Sequence, residues 1–233
     1  MDAAPRPKAG GFLRLLRDLL LIILAALIIS FLIKTFLVRS FYIPSASMQT
    51  TLMEQDRILV NELVPDLVPI EHGDVVVFSD PGGWLTPTGE PEPSGLDAVL
   101  GFVGLAAPDS NDHLIKRVIG LPGDTVSCCN DFGQMLVNGV PLEETYVTLT
   151  PGATRVSGID FDVTVPEGYL WVMGDNRYNS RDSRYNQEGP TNGFVPIENV
   201  VGRAFVVSWP INRWAGLDNY PLVFSGVDAG KDD

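Results

Sequence analysis

Histidine and cysteine are scarce in this chain, with two of each among 233 residues. Cys128 and Cys129 are adjacent, and His72 and His113 share no ligand spacing, so the pattern of a zinc site is missing. Neither a metal nor a cofactor is expected. Basic residues are also few, with 16 Lys and Arg against 29 Asp and Glu. The imbalance is uneven: six basic residues face two acidic ones up to Arg39, and ten face 27 beyond it. Such an acidic body is a poor partner for nucleic acid. No internal repeat or coiled-coil heptad is present, and no later apolar run could span a bilayer. Apolar residues are plentiful, at 45%. That is enough for the core of one large domain, or of a domain with a sizeable insertion, and it excludes a disordered chain.

The one long apolar run is Leu19 to Leu37, interrupted only by Ser30, Lys34 and Thr35. At about 1.5 Å per residue it reaches roughly 28 Å, close to a hydrocarbon core, and Lys34 near its end can snorkel to the headgroups. Arg6, Lys8, Arg14 and Arg17 precede the run, and Lys34 and Arg39 lie at its far end. This bias predicts a single-pass cell-membrane protein with a cytoplasmic tail (1–18), an anchor (19–37) and everything after Ser40 outside the cytoplasm. A cleavable signal peptide ending at Ser45-Ala46-Ser47 is the alternative. Its apolar stretch, Leu19 to Ile33, would then stand 14 residues from Ser47, with Phe36, Leu37, Phe41 and Tyr42 between. That is long for a cleavage region, so a retained anchor is favoured.

Beyond the anchor the chain reads as mostly β. "ILVNEL" (58–63), "DVVVFS" (74–79), "LIKRVIG" (114–120), "GYLWVMG" (168–174) and "VVGRAFVVSWP" (200–210) are short runs rich in Val, Ile and aromatics, bounded by turn residues. "MLVNGVPL" (135–142) predicts a hairpin with an Asn-Gly turn. Two segments look inserted. One is Ser79 to Asp112, with five Pro and six Gly around "LDAVLGFVGLAA"; the other, 128–166, carries the hairpin. The expected division is a body of 38–127 and 167–233, with 128–166 as a small inserted β subdomain. The 79–112 insertion reads as packed core or as a membrane-dipping element.

Alternation along 114–120 puts Leu114, Lys116 and Val118 on one strand face and Ile115, Arg117 and Ile119 on the other. Moving a lysine from a pKa of about 10.4 to near 7 takes over 3 units, or roughly 4 to 5 kcal/mol of differential interaction, which burial can supply. The product is a neutral amine able to take a proton from a serine hydroxyl. A lysine that snorkels from a strand end is the structural alternative. Arg117 keeps its proton and needs a carboxylate. Cα atoms of adjacent residues lie about 3.8 Å apart, below the usual disulfide range of about 4.4 to 6.8 Å. A strained Cys128–Cys129 bridge is nevertheless slightly favoured over two packed thiols in an oxidising compartment.

Four segments together resemble the bacterial type I signal peptidases. "SASMQTTL" (45–52) matches the family's serine motif; "GDVVVF" (73–78), "KRVIGLPGDTV" (116–126) and "GDNRYNSRDSR" (174–184) match the other three in order. Thr50 stands where the family usually has Pro, which bears on local rigidity. The resemblance implies a single transmembrane helix followed by a β-rich catalytic domain, acting as a serine endopeptidase that removes N-terminal signal peptides after small residues. It implies Ser47 as nucleophile and Lys116 as general base. Ser45 would join the Ser47 N–H in an oxyanion hole, and Ser180 would hydrogen-bond the lysine amine. Phe41, Ile43, Pro44, Met48, Leu52, Leu114 and Ile115 would line shallow substrate pockets. Asp175, Arg177, Asp182 and Arg184 are expected to form an ion-pair network, with Asp175 on Arg117. Implied partners are preprotein signal peptides, the bilayer and a secretion translocon.

Two other enzyme readings and one without catalysis compete. A Ser-His-Asp hydrolase would need His113, since His72 adjoins Gly73 in a turn. The Ser-Lys self-cleaving repressors also pair a serine with a strand lysine, but here a membrane run precedes Ser47 in place of a DNA-binding helical module. A membrane-anchored β-domain that only binds a partner would leave the apolar-flanked Lys116 unexplained.

Overall fold

A computed structural model of the chain describes residues 10–85 and 113–228. Most of the 79–112 insertion therefore lies outside the described residues, as does the start of the N-terminal tail. A 27-residue helix, α1 (Gly10–Phe36), opens the structure. From Leu15 to Ile29 its large apolar side chains are about half exposed or more. Among the described residues no helix is long and apolar enough to cross a membrane, so the expected transmembrane span is not shown by the fold.

The rest is β: β1 (Val38–Tyr42), β2 (Arg57–Asn61), β3 (Val75–Ser79), β4 (His113–Gly120), β5 (Thr125–Cys128), β6 (Met135–Val137), β7 (Val140–Pro141), β8 (Phe161–Thr164), β9 (Tyr169–Met173), β10 (Val195–Pro196), β11 (Val200–Trp209) and β12 (Ala215–Gly216). The larger sheet runs β1-β2-β11-β3-β4-β9-β10, with β12 added to β11; the smaller runs β7-β6-β5-β8. Every pairing is antiparallel. The strand runs read from composition fall within or close to β2, β3, β4, β9 and β11, while β5, β8, β10 and β12 were not singled out as strands. The last two are only two residues long, too short for a periodic signal.

Strand β4 lies near the middle of the larger sheet and serves all three cores by alternation. Ile115 joins Phe41, Ile43, Met48, Leu52, Val75 and Val77. Leu114 and Val118 belong with Val76, Phe78, Trp84, Leu170 and Val172 on the other side. Ile119 turns to a third core with Val126, Met135, Val137, Phe161 and Trp171, which fastens the smaller sheet to the larger. Ile119 stays on the Ile115 face, opposite Val118, and a register shift against β9 falls between Val118 and Gly120. Gly120 sits where the sheets meet: a Cβ there would lie 2.6 Å from a Val126 methyl and 2.9 Å from a Val165 methyl. The Asn138-Gly139 turn has φ of 51° and 76°, the type I′ geometry that this dipeptide favours. Cys128 and Cys129, at the end of β5, are joined in a disulfide.

Candidate active site

Ser47 occupies a single 3-10 turn, Ala46–Met48, reached from β1 through an extended Ser45. Apolar anchoring makes the turn rigid: Met48 and Leu52 are fully buried against Phe41, Ile43 and Ile115. Asp56 ties the returning chain, accepting from the Met53 N–H at 2.8 Å and from both Nε (2.8 Å) and Nη2 (2.9 Å) of Arg213. The Ile43 N–H donates to Asp56 O at 2.9 Å, closing the loop onto the end of β1.

Lys116 rises from β4, opposite Val76 of β3. Its Nζ donates to Ser47 Oγ at 2.9 Å and to Ile115 O at 2.8 Å. Both residues are buried, with 4% of Lys116 and 8% of Ser47 exposed. Burial lowers the lysine pKa from 10.5 to about 8, against the opposing pull of the Asp182 and Asp175 carboxylates. The charge of the adjacent Arg117 could push the lysine pKa in the same direction as burial. In the structure its charge is absorbed: Nε and Nη2 donate to the two Asp175 oxygens at 2.9 and 2.7 Å. The Arg117 guanidinium also lies 4.2 Å from the Tyr146 ring centre and 5.1 Å from that of Tyr220.

The loop 174–184 closes the site with two further forks. Arg184 donates from Nε and Nη2 to Asp182 at 2.9 and 2.8 Å, and Arg177 donates to Glu144 at 2.7 and 2.5 Å. Among the described residues each buried arginine thus has its own carboxylate, and Lys116 is the buried cation that lacks one at hydrogen-bond distance. Such pairs fix geometry more than they add stability. Glu144 was not foreseen, because it comes from the 128–166 segment and no local pattern marks it. Thr51 was also missed: its hydroxyl donates to Asp175 Oδ2 at 2.5 Å and joins the serine segment to the Arg117 pair.

Two expected placements differ. Ser180 is buried beside the site, but among the described residues its Oγ has no hydrogen-bond partner; the lysine amine bonds Ile115 O in place of that hydroxyl. Gly174 explains how close Ser180 comes, since a Cβ there would lie 2.3 Å from Ser180 Oγ and 2.4 Å from Ser47 O. Leu114 does not join the other pocket residues: alternation turns it to the core of Val76 and Phe78, away from Phe41, Ile43, Met48, Leu52 and Ile115. Pro44 is exposed next to them, and Ser45, also exposed, has its Oγ 3.3 Å from Ser47 Oγ. Neither histidine bonds Ser47: His72 pairs with Asp124 at 2.7 Å, and His113 packs on the Phe41 ring. Among the described residues no group of three or more His, Cys, Asp or Glu could hold a metal ion.

The family profile of signal peptidase, peptidase S26, matches residues 16–209. The chain belongs to that family. It is a peptidase, and its relatives are close enough to align over most of the chain. It is 40% identical over 202 residues to a probable signal peptidase I of Mycobacterium leprae, covering 75% of this chain and 69% of that protein. It is 38% identical over 192 residues to a signal peptidase I of Mycobacterium tuberculosis, covering 73% and 65%. The chain thus spans about two thirds of the length of these mycobacterial relatives. A crystal structure of a signal peptidase I from Enterococcus faecalis is 27% identical, covers 57% of this chain and 95% of that one, and has a TM-score of 0.37. That score is too low to bear on the fold.

Proposed function

We propose that this peptidase removes N-terminal signal peptides from exported preproteins, cutting after small residues with Ser47 as nucleophile and Lys116 as general base. The observation that carries the reading is the buried amine 2.9 Å from Ser47 Oγ with its pKa lowered to about 8. At pH 7 about a tenth of such a lysine is neutral, against about 0.03% at the ordinary value. The neutral amine takes the Ser47 proton as Oγ attacks the scissile carbonyl. Negative charge then builds on the carbonyl oxygen, where Ser45 Oγ and the Ser47 N–H can meet it. The resulting ammonium returns its proton to the departing amine of the mature chain, leaving an acyl-serine. Water, deprotonated by the same lysine, releases the signal peptide. Ser180 serves as a packed hydroxyl that bounds the amine's pocket and turns to hydrogen-bond it as the proton moves.

Phe41, Ile43, Met48, Leu52 and Ile115 form an apolar wall behind the nucleophile turn, with exposed Pro44 at its rim, and a wall so well filled leaves room only for small side chains. The substrate would add as an extended strand beside the chain before Ser47. We further propose that 19–37 is a membrane anchor, on the strength of its apolar composition, the outward-facing Leu and Ile side chains of α1, and the basic residues that precede it. The catalytic body would lie outside the cytoplasm, within reach of the translocon. Ser47 is ten residues past Leu37, so even an extended chain keeps it within about 33 Å of the bilayer. Preprotein cleavage sites occupy that same layer, which raises their effective concentration.

Incubating the full chain in detergent with a full-length preprotein tests the reading. Mature product should form with wild-type protein and be absent with Ser47→Ala and with Lys116→Met. Retained cleavage by Lys116→Met alongside loss in His113→Ala would sink the dyad and favour a histidine base.

A further inference from the structure

Asn176 holds the nucleophile turn from the facing loop by two hydrogen bonds. Its backbone N–H donates to Ser47 O at 3.0 Å, and its side-chain Nδ2 donates to Ala46 O at 3.1 Å. Ala46 O belongs to the same peptide unit as the Ser47 N–H, and that unit is not among the cis peptides. A trans peptide is planar, with its C=O and N–H pointing in opposite directions. Whatever sets the direction of the Ala46 carbonyl therefore sets the direction of the Ser47 N–H. Inside the turn, Ala46 O also accepts from the Gln49 N–H at 3.1 Å. That bond belongs to the turn and moves with it, whereas Asn176 is fixed from outside. Its neighbour Asp175 is locked to Arg117 and Thr51, and Asn176 O accepts from the Asn179 N–H at 3.0 Å.

We infer that Asn176 is a positioning residue that aims the Ser47 N–H at the oxyanion formed during peptide cleavage. The inference rests on the reading of Ser47 as nucleophile. An oxyanion donor acts only if it points at the place where charge develops, and its worth falls steeply as the angle opens. Asn176 acts through the peptide plane, since its two bonds to the turn end on backbone carbonyls. Its removal does not strand Ala46 O, which keeps the Gln49 bond, so the loss should appear in the transition state and hardly in the fold.

The test compares Asn176→Ala and Asn176→Asp with wild-type full chain in detergent, on a peptide spanning a signal-peptide cleavage site. Asp fills nearly the same space but, when ionised, has no donor, so volume and donation are separated. At pH values where the lysine is fully neutral, both variants should lower kcat about 10- to 100-fold with KM within about twofold; outright loss of such a donor typically costs about 10²- to 10³-fold. The acidic limb of the Asn176→Ala rate profile should stay near pH 8, because no charge changes and Lys116 stays dry. Wild-type kcat in Asn176→Asp, or a loss carried by KM, would overturn the inference. So would a limb in Asn176→Ala displaced by more than about half a unit, since that would mean the loop had moved and admitted water to the lysine. Ser47→Ala and Lys116→Met run alongside. If they are inactive while the Asn176 variants turn over normally, only the role of Asn176 fails; if they remain active, the nucleophile reading itself falls.

Discussion

Replacing Lys116 with Met should abolish cleavage and at the same time make the protein more stable near neutral pH. The reason is the lysine's burial. Its pKa is about 8 in the folded chain against 10.5 as the ordinary value, so below pH 8 the folded state holds a charge it accommodates poorly. A shift of this size corresponds to about 3 kcal/mol. The hydrogen bonds to Ile115 O and Ser47 Oγ, both lost in the variant, together offset about 2 kcal/mol of that. The sign follows from proton binding: between pH 8 and 10.5 the unfolded chain holds more protons than the folded one, so wild-type stability rises with pH in that window. The advantage of Lys116→Met should therefore be about 1 kcal/mol at pH 7, shrink above pH 8, and be reversed above pH 10.5. Guanidinium unfolding in detergent at pH 6 to 11, followed by tryptophan fluorescence, measures this difference. Every other ionisable group is common to the two proteins and cancels in the difference. A difference that stays flat across pH 7 to 10.5 would refute a lysine destabilised by burial, whatever the activity data show.

The same lysine sets the rate profile: kcat/KM should climb about tenfold per pH unit below pH 8 and level off above it, whereas a rise continuing to pH 10 would mean the amine is solvated. Ser180→Ala should leave stability within about 0.5 kcal/mol, because its hydroxyl has no partner to lose, yet lower kcat more than it raises KM; a pure KM effect would remove Ser180 from the lysine's surroundings. Asp175→Asn should cost about 3 to 5 kcal/mol, read as a lower unfolding midpoint, by leaving buried Arg117 without its carboxylate. It should also move the rate limb below pH 8, since Asp175 is one of the charges holding the lysine pKa up. Gly174→Ala should destabilise by about 1 to 3 kcal/mol and cut activity, as its methyl group would press on Ser180 and the Ser47 carbonyl; near-wild-type values for both would show that the loop yields freely.

What the sequence determined by itself was whatever depends on neighbours along the chain. Alternation in 114–120 put Lys116 on one strand face with Leu114 and Val118, since side chains two apart share a face whatever the sheet does, but whether the amine was buried or snorkelled was left to the tertiary structure. The Asn138-Gly139 turn was legible because those two residues tolerate positive φ, and the Ser47 segment because its motif is contiguous. Tertiary structure decided the rest, through strand register. Antiparallel pairing of β3 with β4 and of β4 with β9 carries Lys116 to Ser47, 69 positions away in sequence, and Arg117 to Asp175, 58 away; here the family resemblance, and no local pattern, anticipated the encounters. Glu144 beneath Arg177, Thr51 on Asp175 and Asn176 on Ala46 were anticipated by neither. Each is an ordinary polar residue whose partner lies 33, 124 or 130 positions away. A one-residue slip in register would send every such side chain to the opposite face. Leu114 shows the same limit, because a motif position says which residues lie near the site but the pleat decides which side of the sheet they cover.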